Sequence, residues 1–153
     1  MTGIRHFTAS AIVLDDADRV LLVHHNKLGM WLYPGGHIDP NEDPAQAVVR
    51  EVREEVGIEV DIVAAPSFFH RAVEVVPSPF TIIVMNVADT DVGTHQHIDM
   101  VYVCRPRSVD VVHQAEELSG CRWVPVSDVA GLTTPAELPS LIMKGAEYLK
   151  SFR

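Results

Sequence analysis

The hydrophobic residues of this chain fall mostly in short β-type runs separated by turn residues. Apolar and β-branched segments predict strands at Thr8–Leu14, Val20–His25, Glu59–Val63, Ser67–Val76, Phe80–Val87, Ile98–Arg105 and Arg122–Val126. The first two flank the turn-like segment Asp15–Asp18, so we predict that they form a hairpin. Because we find no internal repeat and no Ser/Gly-rich linker, we expect residues 1–153 to form a single domain.

Two segments have helical spacing. Pro44–Val56 is the clearer one: Asp43 is a suitable N-cap, Gln46 completes a capping box, and Gly57 follows where helices often end. The second lies near the C-terminus and places apolar residues at Leu138, Leu141, Ile142, Leu149 and Phe152. Strands outnumber helices, and the clearer helix lies between strands. The fold class we expect is α/β, a mixed sheet flanked by helices.

The predicted helix Pro44–Val56 separates its side chains by character. One sector of roughly 100° is apolar and suited to burial, with Ala45, Val48, Val49, Val52 and Val56. A neighbouring sector holds Glu51, Glu54 and Glu55, and Arg50 lies four residues before Glu54. Three carboxylates this close repel one another, which raises their pKa values or recruits divalent cations. Oxygen ligands suit Mg²⁺ or Mn²⁺.

The composition of the chain limits the kinds of partner that it can bind. Hydrophobic residues make up 47% of the chain, which is typical of a globular domain, and the net charge is −9. An acidic chain is poorly suited to a broad nucleic-acid surface, which needs Lys and Arg at each phosphate. Bound metal would let an acidic cleft accept a diphosphate. No secretory or membrane-spanning segment is evident, and two cysteines without a CxxC spacing favour a cytoplasmic protein with no membrane partner.

The segment from Gly36 to Ile58 is the strongest motif. It reads GHIDPNEDPAQAVVREVREEVGI. It is similar, at every fixed position, to the signature of the Nudix hydrolase family: Gly, five residues, Glu, seven residues, Arg-Glu, an aliphatic residue, one residue, Glu-Glu, one residue, Gly and an aliphatic residue. The chain is thereby identified as a MutT-like member with a Nudix box at 36–58. The resemblance implies an α/β/α sandwich.

The resemblance also implies roles and a reaction. The metal-binding and catalytic carboxylates would be Glu51, Glu54 and Glu55. The backbone carbonyl of Gly36 would be a further metal ligand, Arg50 would hold the glutamates in position, and Glu42 would support them. The reaction implied is attack of water on phosphorus, cleaving a diphosphate bond in a nucleoside diphosphate linked to another group. Mg²⁺ or Mn²⁺ is the implied cofactor.

A general base outside the box is common in the family. In the MutT-like branch it is a glutamate shortly upstream of a tryptophan, and here Glu117 precedes Trp123 by six residues. We favour Glu117 over Glu116 as base or additional metal ligand. If both glutamates are merely solvated loop residues, Glu54 is the better base.

Other candidates lie on the substrate side. His95, His97 and Asp99 alternate, so on a strand they share one face and could contact a phosphate or coordinate a metal. A polar strand entrance is the alternative explanation. Trp31 and Tyr33 are candidate stacking platforms for a base, although aromatic residues at such positions are more often part of the core.

Alternatives stay open at the level of function. A Nudix-fold regulator that binds a nucleotide without cleaving it would usually lack some signature carboxylates, and here all are present. The isomerase branch of the fold would need a catalytic cysteine, and Cys104 lies in a strand-like run. We expect a small-molecule nucleotide as substrate. The sequence specifies neither which nucleotide nor the oligomeric state, and a homodimer is compatible with it.

Overall fold

A computed structural model describes residues 3–89 and 93–152 of the chain. Within them the strands are β1 (Arg5–Val13), β2 (Arg19–His25), β3 (Met30–Leu32), β4 (Gly35–His37), β5 (Val60–Val63), β6 (Thr81–Asp89), β7 (Gly93–Pro106) and β8 (Leu118–Pro125). The helices are α1 (Pro44–Val56) and α2 (Leu138–Lys150), and a 3-10 helix spans Val126–Gly131. None of the helices in the described part of the chain is long and apolar enough to cross a membrane.

Two sheets lie at the centre. The larger has the order β4-β1-β7-β5, with β6 also paired to β7; β1 and β7 are parallel and every other pair in it is antiparallel. The long strand β7 accommodates β6 and β5 one after the other along the same edge, through residues 93–101 and 103–106. The smaller sheet is antiparallel, with the order β3-β2-β8.

Helices α1 and α2 cover opposite faces of the larger sheet. Because side chains alternate along a strand, one set of β1 residues packs with α1 and the next set packs with α2. Ala9, Ala11 and Val13 share a core cluster with the valines of α1, whereas Ile12 shares one with Ile142 of α2. This arrangement is the expected α/β/α sandwich with a mixed sheet, and the predicted fold class is confirmed.

Helix α1 has the bounds that its sequence predicts. The Asp43 carboxylate accepts a hydrogen bond from the Gln46 backbone N–H at 2.8 Å, and the Gln46 side chain accepts one from the Asp43 backbone N–H at 3.0 Å. Gly57 ends the helix at φ 74°, a conformation that favours glycine. A cap of this kind contributes about 1 kcal/mol to stability.

Two strand predictions are wrong. The segments around β1 and β2 do not form a hairpin, because they belong to different sheets and share only the bridge between Leu14 and Val20. Strand β1 already has β4 and β7 on its two edges. Ser67–Val76 is not a strand: it is a loop in which Phe69 is 87% exposed, and the β7 edge that it would need is taken by β5 and β6.

Candidate active site

The glutamates of α1 meet the backbone of β4. The Gly35 N–H donates to Oε1 of Glu55 at 3.2 Å. The carboxylate of Glu51 lies so close to Gly36 that a Cβ atom added there would be 2.5 Å from Oε1 of Glu51. A side chain at position 36 would therefore displace the Glu51 carboxylate, and Gly36 lies directly beside the carboxylates that the sequence singled out.

Glu55 is the most buried of these carboxyl groups, with 6% of its surface exposed. Its pKa is raised to about 8, mainly by burial and also by the neighbouring charges of Glu51 and Glu117, against the opposing Gly35 hydrogen bond. Burial also raises the pKa of Glu51. A side-chain hydrogen bond between the two carboxyls lowers the pKa of Glu51 and raises that of Glu55. The two acids are thus held against each other where solvent is partly excluded, and a divalent cation there would relieve their repulsion.

Arg50 connects the remaining acids of the motif. Its Nε donates to Oε2 of Glu42 at 2.7 Å, and its Nη1 donates to Oε1 of Glu51 at 2.9 Å and to Oε2 of Glu54 at 3.2 Å. A fourth bond from Nη2 reaches the carbonyl oxygen of His37 at 3.0 Å. The guanidinium holds the pKa of Glu42 below its ordinary value. One side chain therefore fixes three carboxylates relative to the end of β4.

The donors of this cluster suit a hard divalent cation. Glu51, Glu54 and Glu55 offer only carboxylate oxygens, the ligand type that Mg²⁺ and Mn²⁺ prefer. The side chain of Glu54 is 59% exposed, which leaves one carboxylate open to solvent beside two that are enclosed. The raised pKa values of Glu51 and Glu55 mark the place where positive charge would be favourable. The residues present therefore fit such an ion.

The loop before β8 brings a fourth glutamate toward the cluster. Glu117 is exposed, and its charge raises the pKa of Glu55, so it lies near that carboxyl. Its backbone carbonyl accepts a hydrogen bond from the Asn26 N–H at 2.8 Å, and the Asn26 side chain donates to the carbonyl of Glu116 at 3.0 Å. Asn26 thus anchors the loop at two points.

A cavity of about 210 Å³ lies beside the same strand β4. Its lining includes Gly35 and Gly36, and its polar residues are Thr8, Ser10, His25, Tyr33, His37, His97, Asp99 and Glu137. A Cβ atom added to Gly35 would be 2.5 Å from Oγ of Ser10, so this glycine is needed on the cavity side as Gly36 is needed on the helix side. A single stretch of backbone separates the glutamate cluster from the cavity.

Asp99 is the central polar residue of the cavity. It is 2% exposed, and its Oδ1 accepts hydrogen bonds from Thr8 at 2.8 Å and from Ser10 at 2.9 Å. Oδ2 faces the Tyr33 hydroxyl at a long 3.4 Å. Burial raises the pKa of Asp99, while the three hydroxyl groups oppose that rise. The cavity therefore contains a fixed acceptor whose second oxygen is less firmly bonded.

The remaining predicted residues divide between the cavity and its surroundings. Tyr33, His97 and Asp99 line it. His95 is buried farther along β7, outside the residues that line the cavity, with Nδ1 against the Gly93 carbonyl at 3.0 Å. The Trp31 ring stacks under the guanidinium of Arg122, 4.8 Å from its centroid, and is likewise outside the lining. Cys104 is fully buried in the sheet, with a pKa raised by burial, so nothing supports a catalytic thiol.

The sequence analysis missed Thr8, Ser10 and Glu137 as cavity residues. A signal for the first two was present: His6, Thr8 and Ser10 alternate along a strand whose other residues are mostly apolar. Such alternation marks one polar face of a strand. Glu137 precedes the second helix and carries no comparable signal.

Comparisons with known proteins bear on the fold and the family of this chain. A sequence model of the NUDIX domain matches residues 4–143. The human protein "Nucleoside diphosphate-linked moiety X motif 6" is 32% identical over 130 residues, which cover 80% of this chain and 36% of that protein, so the chain spans about a third of that relative's length. The "8-oxo-dGTP diphosphatase" of Proteus vulgaris is 36% identical over 56 residues, 34% of this chain and 50% of that protein. The crystal structure of a NUDIX-family hydrolase from Clostridium perfringens superimposes with a TM-score of 0.81 at 25% identity, covering 95% of this chain and 99% of that one.

Proposed function

This chain belongs to the Nudix family, and from that premise we propose that it is a divalent-metal-dependent pyrophosphohydrolase acting on a nucleotide or nucleotide derivative. In this proposal residues 1–153 form one catalytic domain, and water attacks phosphorus to cleave a diphosphate bond. The observation that carries it is the contact between β4 and α1: the Gly35 N–H donates to the carboxyl of Glu55, and the carboxyl of Glu51 lies against Gly36.

Mg²⁺ or Mn²⁺ would be held by the Gly36 carbonyl and by the carboxylates Glu51, Glu54 and Glu55. When bound, the ion neutralises phosphate oxygens and lowers the pKa of a coordinated water. Arg50 and Glu42 position the carboxylates, since one guanidinium bonds to Glu42, Glu51 and Glu54 together. The chain's own contribution is thus to hold the acids in place and to exclude water from Glu55.

Glu117 is our choice for the general base or an additional metal ligand. It is exposed to solvent and close enough to Glu55 to raise the pKa of that carboxyl, so it borders the site where water would be activated. Glu54 is the alternative base, because its side chain is also exposed and bonded to Arg50 at 3.2 Å. A base needs access to solvent, and both residues have it.

The nucleoside end of the substrate would lie in the cavity beside β4. Asp99 presents an acceptor there, Tyr33 an aromatic ring, and His97 a further polar contact. The human relative's name refers to nucleoside diphosphate-linked compounds and the Proteus relative's to an oxidised nucleotide, which supports nucleotides as the class. With a net charge of −9 the chain needs cations to receive a diphosphate, which agrees with metal dependence.

An assay that separates the nucleotide products by chromatography tests the proposal. The panel covers normal and oxidised nucleoside triphosphates, sugar nucleotides and dinucleotides, each with and without Mg²⁺. We expect turnover of one class that requires the metal and falls on the order of 10²–10⁴-fold in Glu54→Gln. The matched control is Glu147→Gln, which removes an exposed carboxylate paired with Lys144 on α2.

Two results would contradict the proposal. One is equal turnover by the wild type and Glu54→Gln. The other is tight nucleotide binding with no cleavage of any panel member, which would instead support a non-catalytic nucleotide-binding regulator.

A further inference from the structure

Four histidine rings meet at one end of the larger sheet, outside the glutamate cluster. They come from three strands: His6 begins β1, His37 ends β4, and His95 and His97 lie on β7. The parallel pairing of β1 and β7 places His6 opposite His97. The ring centroids of contacting pairs are 4.9–6.1 Å apart. The cluster therefore arises from strand register rather than from a continuous motif.

Three of these rings bring nitrogen atoms together at ligand spacing. One nitrogen from each of His6, His95 and His97 lies within 4.8 Å of the other two. The closest pair, Nε2 of His95 and Nε2 of His97, is 3.1 Å apart. Around a tetrahedral zinc ion with Zn–N bonds of 2.0–2.1 Å, neighbouring ligand nitrogens are about 3.3 Å apart. One pair is already at that spacing, and rotation of a side chain would bring in the third.

His95 is held in the tautomer that binds metals. Its Nδ1 lies 3.0 Å from the carbonyl oxygen of Gly93, and a carbonyl can only accept, so the Nδ1 atom carries the proton. The lone pair of the ring is then on Nε2, which faces Nε2 of His97. Metal-ligating histidines in proteins typically make this second bond to a backbone carbonyl or a carboxylate. The ring is 4% exposed, which fixes its orientation.

We propose that His6, His95 and His97 form a second metal site, which binds a borderline divalent cation of the zinc class. Three imidazole ligands favour Zn²⁺, Ni²⁺ or Co²⁺ over Mg²⁺, which prefers oxygen. His37 lies beside the trio, with Nε2 3.2 Å from Nδ1 of His6, and adds a fourth ring to the same environment. The ion would take the Nε2 lone pair of His95, and the proton that His97 donates across the 3.1 Å contact would move to solvent or to the other nitrogen of the His97 ring.

The ion would join the start of β1 to β7 at the end of the sheet. Because an ion that binds only the folded chain raises its stability by mass action, Zn²⁺ should raise the melting temperature. His97 also lines the cavity, so the site lies at one end of the proposed nucleoside pocket. Its ligands are nevertheless separate from Glu51, Glu54 and Glu55, and either site can be tested without the other.

The test is calorimetric titration of Zn²⁺ into the chelator-treated full chain, with Co²⁺ absorption spectra to report nitrogen ligation. The background is Glu51→Gln combined with Glu54→Gln, which weakens metal binding by the carboxylates. We expect one equivalent of Zn²⁺ to bind, at least tenfold more weakly after His97→Gln or His6→Gln. His113→Gln, which changes an exposed histidine elsewhere, is the matched control and should bind as the background does.

Unfolding curves of each variant without metal show whether the fold is retained. His6 is only half-buried, so His6→Gln remains informative if the variant at His97 does not fold. Unchanged Zn²⁺ affinity in the folded His6→Gln variant would overturn the proposal. So would the absence of a bound equivalent in the background, or an equal loss in His113→Gln.

Discussion

The two sides of strand β4 are built in different ways. On the α1 side, Glu51 and Glu55 come from one helix and reach Gly35 and Gly36 within a single stretch of about twenty residues. On the cavity side, Thr8 and Asp99 are 91 residues apart in sequence and meet only because β1 and β7 are parallel neighbours. Functional side chains that lie on one helix can be predicted from a sequence motif. Functional side chains that meet only through the register of neighbouring strands cannot.

The largest effect that we expect is on the α1 side of β4, where the pH dependence of the unfolding free energy should reflect the proton held by Glu55. Folding raises the pKa of Glu55 from its ordinary 4.5 to about 8, so the folded chain holds a proton that the unfolded chain has released. The resulting stabilisation is complete below about pH 4.5 and is lost as the pH rises toward 8. In chelator, the wild type should lose on the order of 4 kcal/mol of unfolding free energy between pH 5 and pH 8.5 relative to Glu55→Gln.

Urea unfolding of both proteins across that pH range measures the effect. Asp99 is present in both, so its own contribution cancels in the comparison. Parallel pH curves for the wild type and Glu55→Gln would show that Glu55 does not carry the proton.

Gly36→Ala tests the contact between β4 and α1 directly. The added Cβ would be 2.5 Å from the Glu51 carboxylate, which is the flexible end of a side chain, so the carboxylate should move while the fold persists. We expect roughly a thirtyfold loss of kcat/KM, about 2 kcal/mol, with less than about 1 kcal/mol of lost stability. Gly131→Ala is the matched control, because no atom lies within 4 Å of its added Cβ. Equal activity of Gly36→Ala and wild type would show that the close approach of Gly36 to the Glu51 carboxylate is not needed for activity.

Asp99→Asn tests the cavity side and has the smallest expected effect. The amide keeps one oxygen for Thr8 and Ser10 but replaces the acceptor at Oδ2, which faces Tyr33 in the cavity. We expect KM for the nucleotide to rise about tenfold with kcat within a factor of three, because a buried acceptor for the substrate is lost. Asp61→Asn, which breaks an exposed ion pair with Arg107, is the control. A fall in kcat without a change in KM would place Asp99 with the reacting groups instead.

The features that the sequence predicted best are those that depend on residues close together along the chain. Helix α1 runs from Pro44 to Val56 as expected, since its cap, its terminal glycine and its apolar stripe all lie within fifteen residues. The placement of Glu51, Glu54 and Glu55 beside Arg50 follows from the helix itself. Their roles as metal ligands stay a prediction.

The features that the sequence could not predict depend on which strands are neighbours. The predicted hairpin of β1 and β2 is wrong because β4 and β7 occupy both edges of β1. The predicted strand Ser67–Val76 is wrong because the edge of β7 that it would need is already paired with β5 and β6. For the same reason His6 and His37 could not be grouped with His95 and His97. Alternation along β1 was visible in the sequence, but the residues that it would face across the sheet were not.

Strand β4 lies at the free edge of the larger sheet. A hydrogen-bonded ladder joins it to β1, and no ligand passes through such a ladder. A compound that occupies the cavity and also reaches the glutamates must therefore bend around the outer rim of one strand. In the proposed function, a substrate that joins the two sites has to pass around a strand about 5 Å wide, so we expect compounds with too few linking atoms to be poor substrates.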